Sequence, residues 1–285
     1  MKILVTGRDG QVGHELVRSL DPLGEVTALG REAMDLANPD SIRRAIAMLE
    51  PEIIVNAAAY TAVDRAEEET ELACAVNAKG PGVLAEEAKR LDALLLHYST
   101  DYVFDGEKSG PYAENDPTNP LGAYGLTKLE GEQHIAASGC RHLILRTSWV
   151  YSVRGRNFLL TMRRLAAERP ELSVVDDQYG APTSAPAIAD ATNSILRLVM
   201  QDKGEEGLFH LTAEGRTSWY EFARLIVAHQ GSKQTPVKPI SSDQYPTPAR
   251  RPRNSCLDNE KLRRTFGVRL DPWDAEAVRI LDRLG

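Results

Sequence analysis

The sequence predicts an α/β fold: a doubly wound parallel sheet with a smaller C-terminal α/β lobe. Three observations predict it. Over residues 2–150, short apolar runs alternate with segments of helical periodicity, the pattern of a parallel sheet covered by helices on both faces. The first run stops at a glycine-rich turn that opens a helix. Stretches of small, hydroxyl or polar residues follow the strands at 7–13, 56–61, 98–102 and 147–150, so all four meet at the carboxyl edge of one sheet, where such folds bind ligands.

Composition narrows the partners. The net charge of −7 argues against a nucleic-acid partner. No apolar run approaches the ~20 residues of a membrane span, and the N-terminus reaches Gly7 too early for a signal peptide. Cys74, Cys140 and Cys256 are scattered and odd in number, which fits reduced thiols and a cytoplasmic setting better than a disulfide framework or a zinc knuckle.

Residues 2–6 form the first strand. Gly7, Gly10 and Gly13 follow in a G-x-x-G-x-x-G turn, and Leu16, Val17 and Leu20 carry the next helix to Asp21-Pro22. A strand, glycine turn and helix in this order make a phosphate cradle, because glycines admit a pyrophosphate and the helix N-terminus offers free N–H groups. The predicted fold is therefore of the Rossmann dinucleotide-binding kind. The second strand, 25–29, ends at Gly30-Arg31. Arg31 stands where an acidic residue would take a ribose hydroxyl, so it is either a partner for the 2′-phosphate of NADP(H) or an ordinary surface arginine beside Glu32.

Residues 41–50 read as a helix capped by Asp40 or Ser41, and 52–55 as a buried strand ending in Asn56, Ala57, Ala58, Ala59, Tyr60 and Thr61. Segments 70–76 and 78–90 read as two helices with Asn77 between them, either a helix break or an ordering residue for the site. The fourth strand, 93–96, leads into His97-Tyr98-Ser99-Thr100-Asp101-Tyr102, and the fifth is 142–146.

Tyr124 and Lys128 lie four residues apart in a helical pattern, one turn apart on one face. A free Tyr is protonated at neutral pH, and a cation one turn away favours the phenolate and sharpens the hydroxyl as an acid for a carbonyl oxygen.

Beyond 151 the pattern continues with a helix at 157–168, a strand at 172–177, a helix at 186–200 and a strand at 208–211, the last two returning to the sheet. Ser218-x-x-Glu221 reads as a capping box for a helix at 219–230, with Gly231 as its C-cap. Residues 231–255 hold five prolines and read as a long loop. Arg250, Arg251 and Arg253 on it suit a diphosphate, or else form a solvated basic loop. Asp271-Pro272-Trp273 opens a last helix to 284. The expected division is a dinucleotide-binding domain over 1–150, rejoined by about 187–212, and a substrate lobe over 151–285.

Tyr-x-x-x-Lys after a strand-end Ser/Thr resembles the short-chain dehydrogenase/reductase superfamily, and the glycine spacing resembles its extended branch. Together with Asn56–Asp64, Ser99–Gly106, Arg146–Tyr151, Asp177–Thr183 and the 248–255 run, these motifs resemble the dTDP-4-dehydrorhamnose reductase family over nearly the whole chain. That resemblance implies NADPH-dependent reduction of the C4 ketone of dTDP-6-deoxy-L-lyxo-4-hexulose to dTDP-L-rhamnose, with NADH left open as a second cofactor. By matching position it implies Thr100, Tyr124 and Lys128 as the catalytic trio. It places the cofactor against Gly7, Gly10, Gln11, Val12, Gly13, Gly30, Arg31, Asp35, Leu36, Ala58, Ala59, Tyr60, Thr61, Asn77, Tyr98, Tyr124 and Lys128. It places the sugar nucleotide against Thr100, Asp101, Tyr124, Trp149, Asn157, Thr183 and Arg250. Some members dimerise through a magnesium ion held by acidic side chains. Glu15 would belong to such a cluster, but Pro186-Ala187 offers no carboxylate, so no metal ligand is assigned and a homodimer is an expectation only. Another nucleotide-sugar 4-ketoreductase or an epimerase on this fold, and a non-catalytic NADP-binding regulatory subunit, are the competing readings. The Tyr and Lys present weigh against the subunit. Tyr102 after Asp101, where dehydratases place a second carboxylate, weighs against elimination.

Overall fold

The computed structural model describes residues 1–230 and 235–285. Its frame is a six-stranded parallel sheet. β1 (Lys2–Thr6) pairs with β2 (Glu25–Leu29) on one side and β3 (Ile53–Asn56) on the other. β4 (Leu94–Thr100) and β5 (His142–Thr147) extend it, and the strand Gly207–His210 closes the far edge against β5. The order reverses at β1, between β2 and β3, and that reversal leaves a crevice at the carboxyl ends of the strands.

Strand residues alternate between two helical layers, because successive side chains point to opposite faces. Ile3, Val5, Ile53, Val55, Leu94, Leu96, Leu143 and Leu145 pack under α1 (Gln11–Leu20) and the helix Ala185–Val199. Leu4, Ile54, Leu95 and Ile144 pack under α2 (Pro39–Leu49) and the helices of the other face. Both layers are apolar, as a sheet covered on both sides requires.

Several boundaries differ from the sequence reading. α2 is capped by Asn38, whose Oδ1 accepts from Asp40 N and Ser41 N at 3.0 and 3.2 Å, with Pro39 at the first helical position; the cap is not Asp40 or Ser41. No break occurs at Asn77. α3 (Thr70–Cys74) runs through a π-helical stretch, Ala75–Lys79, directly into α4 (Gly80–Leu91). The extra residue in that turn is where Asn77 is turned inward, fully buried.

The C-terminal lobe has its own core of Tyr151, Leu159, Leu172, Phe222, Ile226 and Ile280. Its proline-rich segment is not all loop. Val237–Ile240 pairs in parallel with Leu172–Val175, and Pro239 is tolerated there because a two-stranded ribbon is all edge. Ser218 caps the helix Trp219–His229 by accepting from Glu221 N at 3.1 Å, but the reciprocal half of a capping box is not made; the Glu221 carboxylate pairs with Arg224 instead. The proposed C-cap, Gly231, lies outside the described residues. Among the described residues no helix is long and apolar enough to cross a membrane.

Candidate active site

β1 delivers the chain into its turn at Gly7 with φ +71°, and a Cβ there would stand 2.9 Å from Ala58 backbone atoms. Only glycine lets the turn lie against the end of β3. The turn and α1 border a cleft of about 700 Å³ along the carboxyl edge of the sheet. Gly7, Gly10, Gln11, Val12, Gly30, Arg31, Asp35, Leu36, Ala58, Ala59, Tyr60, Thr61, Tyr98, Tyr124 and Lys128 all face it.

Two of the expected cofactor residues do not. Gly13 sits inside α1, where a Cβ would come 2.1 Å from Gly7 O; it lets the helix start directly on the turn. Asn77 stands behind the wall. Its Oδ1 accepts from Tyr60 N at 2.8 Å, its Nδ2 donates to Tyr60 O at 3.1 Å, and it meets Thr127 at 3.3 Å. It therefore holds the 57–61 loop in shape and joins it to the helix that carries Tyr124 and Lys128.

α5 (Ala123–Ser138) carries Tyr124 and Lys128. It lies unusually close to its neighbours because Gly125 and Gly131 face them: a Cβ would come 2.1 Å from Tyr102 O at the first and 2.2 Å from Asn77 O at the second. Thr100 ends β4 opposite Tyr124; its hydroxyl donates to Asp101 Oδ1 at 3.0 Å and accepts from Tyr102 N at 3.2 Å. Lys128 is buried, with Nζ donating to Tyr98 O at 2.6 Å and lying 3.0 Å from His97 Nε2.

Burial dominates the electrostatics. It pushes the Tyr124 hydroxyl up to about 12, against a hydrogen bond with Thr100 that pulls the other way. It pushes Lys128 down to about 8. It pushes Asp101 up to about 7, against hydrogen bonds from Ser255 and Thr100. The expectation that Lys128 sharpens Tyr124 as an acid is thus not met in the free protein, because desolvation of the Tyr124 hydroxyl dominates and Lys128 Nζ is already engaged with Tyr98 O beside His97.

Four buried polar atoms here lack a partner among the described residues: Ser99 Oγ, Thr147 Oγ1, Asp101 Oδ2 and Arg146 Nη1. Ser99 and Thr147 also line the cleft. Unpaired buried hydroxyls are costly, and these two face the space a ligand would fill. The sequence reading placed both stretches, 98–102 and 147–150, at the ligand-binding edge but gave neither residue a role of its own. It also missed Gly155 and Arg156, which close the cleft opposite the glycine turn, and Arg65 and Glu69, which join Tyr60 on its rim. The Arg-Gly-Arg run 154–156 after a strand end was the available signal for the first pair.

The expected substrate residues divide. Trp149, at φ +48°, stacks flat on Trp219 with ring centroids 3.5 Å apart. Arg250 is exposed and borders a small pocket with Tyr102, Tyr124 and Glu67. Arg251 is spent elsewhere, its Nη2 donating to both Asp64 oxygens at 2.9 Å and its Nη1 to Ala249 O. Asn157 and Thr183 do not reach the cleft. Asn157 donates to Gln11 Oε1 at 2.8 Å and caps the helix Phe158–Glu168, tying the lobe to the glycine turn. Thr183 is fully buried, donating to Ala181 O and accepting from Ala213 N. Both are struts, because their polar atoms are already used inside the protein. Glu15 is buried beside Arg18 at 3.5 Å, and no group of acidic, His or Cys side chains among the described residues could hold a metal ion.

Residues 1–285 match the family described as RmlD substrate binding domain. A dTDP-4-dehydrorhamnose reductase of Burkholderia thailandensis is 50% identical over 284 residues, covering 96% of this chain and 95% of its own. The crystal structure of a dTDP-4-dehydrorhamnose reductase from Clostridium acetobutylicum superposes with a TM-score of 0.94 at 38% identity, covering 100% of this chain and 99% of that one. A Bacillus anthracis dTDP-4-dehydrorhamnose reductase in complex with NADP does so at 0.93 and 32% identity, covering 99% of both.

Proposed function

The chain belongs to the RmlD substrate binding domain family, and on that premise we propose that it reduces the C4 ketone of dTDP-6-deoxy-L-lyxo-4-hexulose to give dTDP-L-rhamnose, with NADPH as reductant. One observation carries the reading: the Tyr124–Lys128 pair faces the same cleft as the glycine turn and Arg31.

The residues present fit a dinucleotide. The close approach at Gly7 and the free N-terminus of α1 suit a pyrophosphate, and the unpaired hydroxyls of Ser99 and Thr147 offer partners at the sheet end of the cleft. The cofactor supplies the hydride. Tyr124 holds its proton at neutral pH and is placed to give it to the ketone oxygen, with Thr100 hydrogen-bonding the same oxygen. Lys128 would hold the nicotinamide ribose. Arg31 is exposed; its Nε pairs with Asp35 at 3.6 Å, which leaves its two terminal nitrogens for the 2′-phosphate. Asp101 and Trp149 border the sugar and Arg250 the diphosphate; Arg251 instead straps this loop to Asp64. We assign residues 1–150, rejoined by 187–212, to cofactor binding and the rest of 151–285 to the substrate lobe. A cytoplasmic setting with reduced Cys74, Cys140 and Cys256, and assembly as a homodimer, complete the proposal.

The test is stoichiometry. Purified protein with 4-keto nucleotide sugars generated in situ should consume one NADPH per ketone reduced and carry little bound nucleotide. Tightly held NAD, with sugar interconversion in the absence of added cofactor, would refute it in favour of an epimerase.

A further inference from the structure

Behind the cleft, buried polar side chains to which the reaction gives no role lead in a file to Lys128. Thr6 Oγ1 accepts from Ala58 N at 3.2 Å and lies 2.6 Å from Asn56 Oδ1. Asn56 Nδ2 lies 2.9 Å from His97 Nδ1, and His97 Nε2 lies 3.0 Å from Lys128 Nζ. All four side chains are at most 2% exposed. Nothing in packing alone requires three polar side chains in a row on three adjacent strands of an apolar sheet, where each unpaired group would be costly.

We propose that this chain ends as a hydrogen-bond donor on Lys128 and holds that lysine as a neutral amine in the free protein, which makes His97 a positioning residue for the group that meets the cofactor. The proposal rests on the role given to Lys128 above.

Counting hydrogens gives the direction. Two oxygens 2.6 Å apart need a hydrogen between them, and the Thr6 hydroxyl supplies it, since Asn56 Oδ1 has none. The amide then turns its NH₂ toward His97, so Nδ1 must accept. Burial keeps the pKa of His97 well below its ordinary value, so the ring is neutral and carries one hydrogen. With Nδ1 accepting, that hydrogen is on Nε2 and points at Lys128 Nζ. An ammonium has no lone pair to receive it, whereas an amine does. An amine can still donate to Tyr98 O at 2.6 Å.

The other groups facing Lys128 do not reverse this. Glu132, one turn along α5, favours the ammonium, but its carboxylate is already bidentate on Arg146 of β5 at 2.9 and 2.6 Å. Tyr124, one turn back, is protonated. Desolvation, against the opposing pull of Glu132, brings Lys128 down to about 8, and a donor fixed on its lone pair acts in the same direction. Lys128 would then be fully charged only once anionic phosphates enter the cleft and favour the cation.

The test uses free protein, with neither cofactor nor substrate. Nitrogen-15 NMR of the histidine rings, with His97 assigned by its loss in His97→Gln, should show hydrogen on Nε2 and a bare Nδ1; the opposite tautomer overturns the proposal. The Lys128 side-chain resonances, assigned by their loss in Lys128→Met, should titrate below pH 8 in the wild type and about one pH unit higher, a tenfold gain in proton affinity, in His97→Leu. A downward or absent shift overturns the proposal, since a histidine accepting from an ammonium would give the downward one. Should His97→Leu fail to fold, the wild-type tautomer still decides. If 4-keto nucleotide sugars are not reduced while both NMR results hold, the functional reading fails and the relay stands.

Discussion

Gly125→Ala should lower kcat about 100-fold while leaving the protein folded. Gly125 lies between Tyr124 and Lys128 on the face of α5 that meets the turn after β4. An added Cβ would stand 2.1 Å from Tyr102 O and 3.0 Å from Pro120 Cβ. Ordinary contact begins at 3.4 Å, so helix and turn must part by more than 1 Å. The turn cannot yield easily, because Thr100 Oγ1 holds Tyr102 N at 3.2 Å and Asp101 is buried beneath it. The helix moves instead, carrying Tyr124 away from Thr100 and Lys128 away from Tyr98 O. Overpacking of this kind costs roughly 1–3 kcal/mol of stability, and a displacement near 1 Å at a reacting group costs on the order of 10² in rate. The assay is NADPH oxidation at saturating substrate, with thermal unfolding run beside it. Gly110→Ala is the control, since nothing lies within 4 Å of its Cβ position. A Gly125→Ala enzyme with near wild-type kcat would show that close helix approach does not set the catalytic geometry.

Three further outcomes are expected. Tyr124→Phe keeps the ring and removes the donor, so kcat should fall ~10²–10⁴-fold with NADPH affinity nearly unchanged by fluorescence titration. Arg31→Ala should weaken NADPH by about 1.5–3 kcal/mol and NADH much less, and equal losses would remove Arg31 as the reader of the phosphate. Asp101, raised to about 7, is neutral when buried, so its contribution to stability is present at low pH and is lost as pH rises through 7. Between pH 6 and 8 that loss is about 1 kcal/mol, and Asp101→Asn should abolish it; an unaltered dependence of Tm on pH would mean that Asp101 does not titrate there.

The sheet and the cofactor side of the cleft were legible because each rests on a local signal. Apolar runs mark strands, and Gly7, Gly10 and the small residues 57–59 mark where backbone must approach a ligand. The substrate side was less so. Asn157 and Thr183 carry polar atoms that any ligand could use, and only the fold shows Gln11, Ala181 and Ala213 taking them first. Arg251 is indistinguishable from Arg250 by sequence, and its partner Asp64 is 187 positions away. Pro239 argued against a strand until its ribbon proved to have no interior. The π-helical turn that buries Asn77 leaves no mark in propensity, since one extra residue in a helix changes no local preference.

Burial explains why the Tyr-x-x-x-Lys spacing misled about acidity while pointing correctly to place. Spacing on a helix fixes which side chains share a face, but a pKa depends on everything packed around that face. Here the low dielectric acts on each group in its own direction: up for Tyr124 and Asp101, down for Lys128. All three shifts favour the neutral form, so Lys128 and Asp101 on the floor of the cleft each carry less than full charge near neutral pH, and Tyr124 carries none. A phosphate-bearing ligand therefore enters a cleft whose positive ends are the α1 N-terminus and rim arginines such as Arg31 and Arg156, not its floor. Affinity is set at the rim, whereas proton transfer depends on floor groups whose charge the arriving ligand can shift. For that reason Arg31→Ala should act on cofactor binding and Tyr124→Phe on turnover, with little exchange between the two.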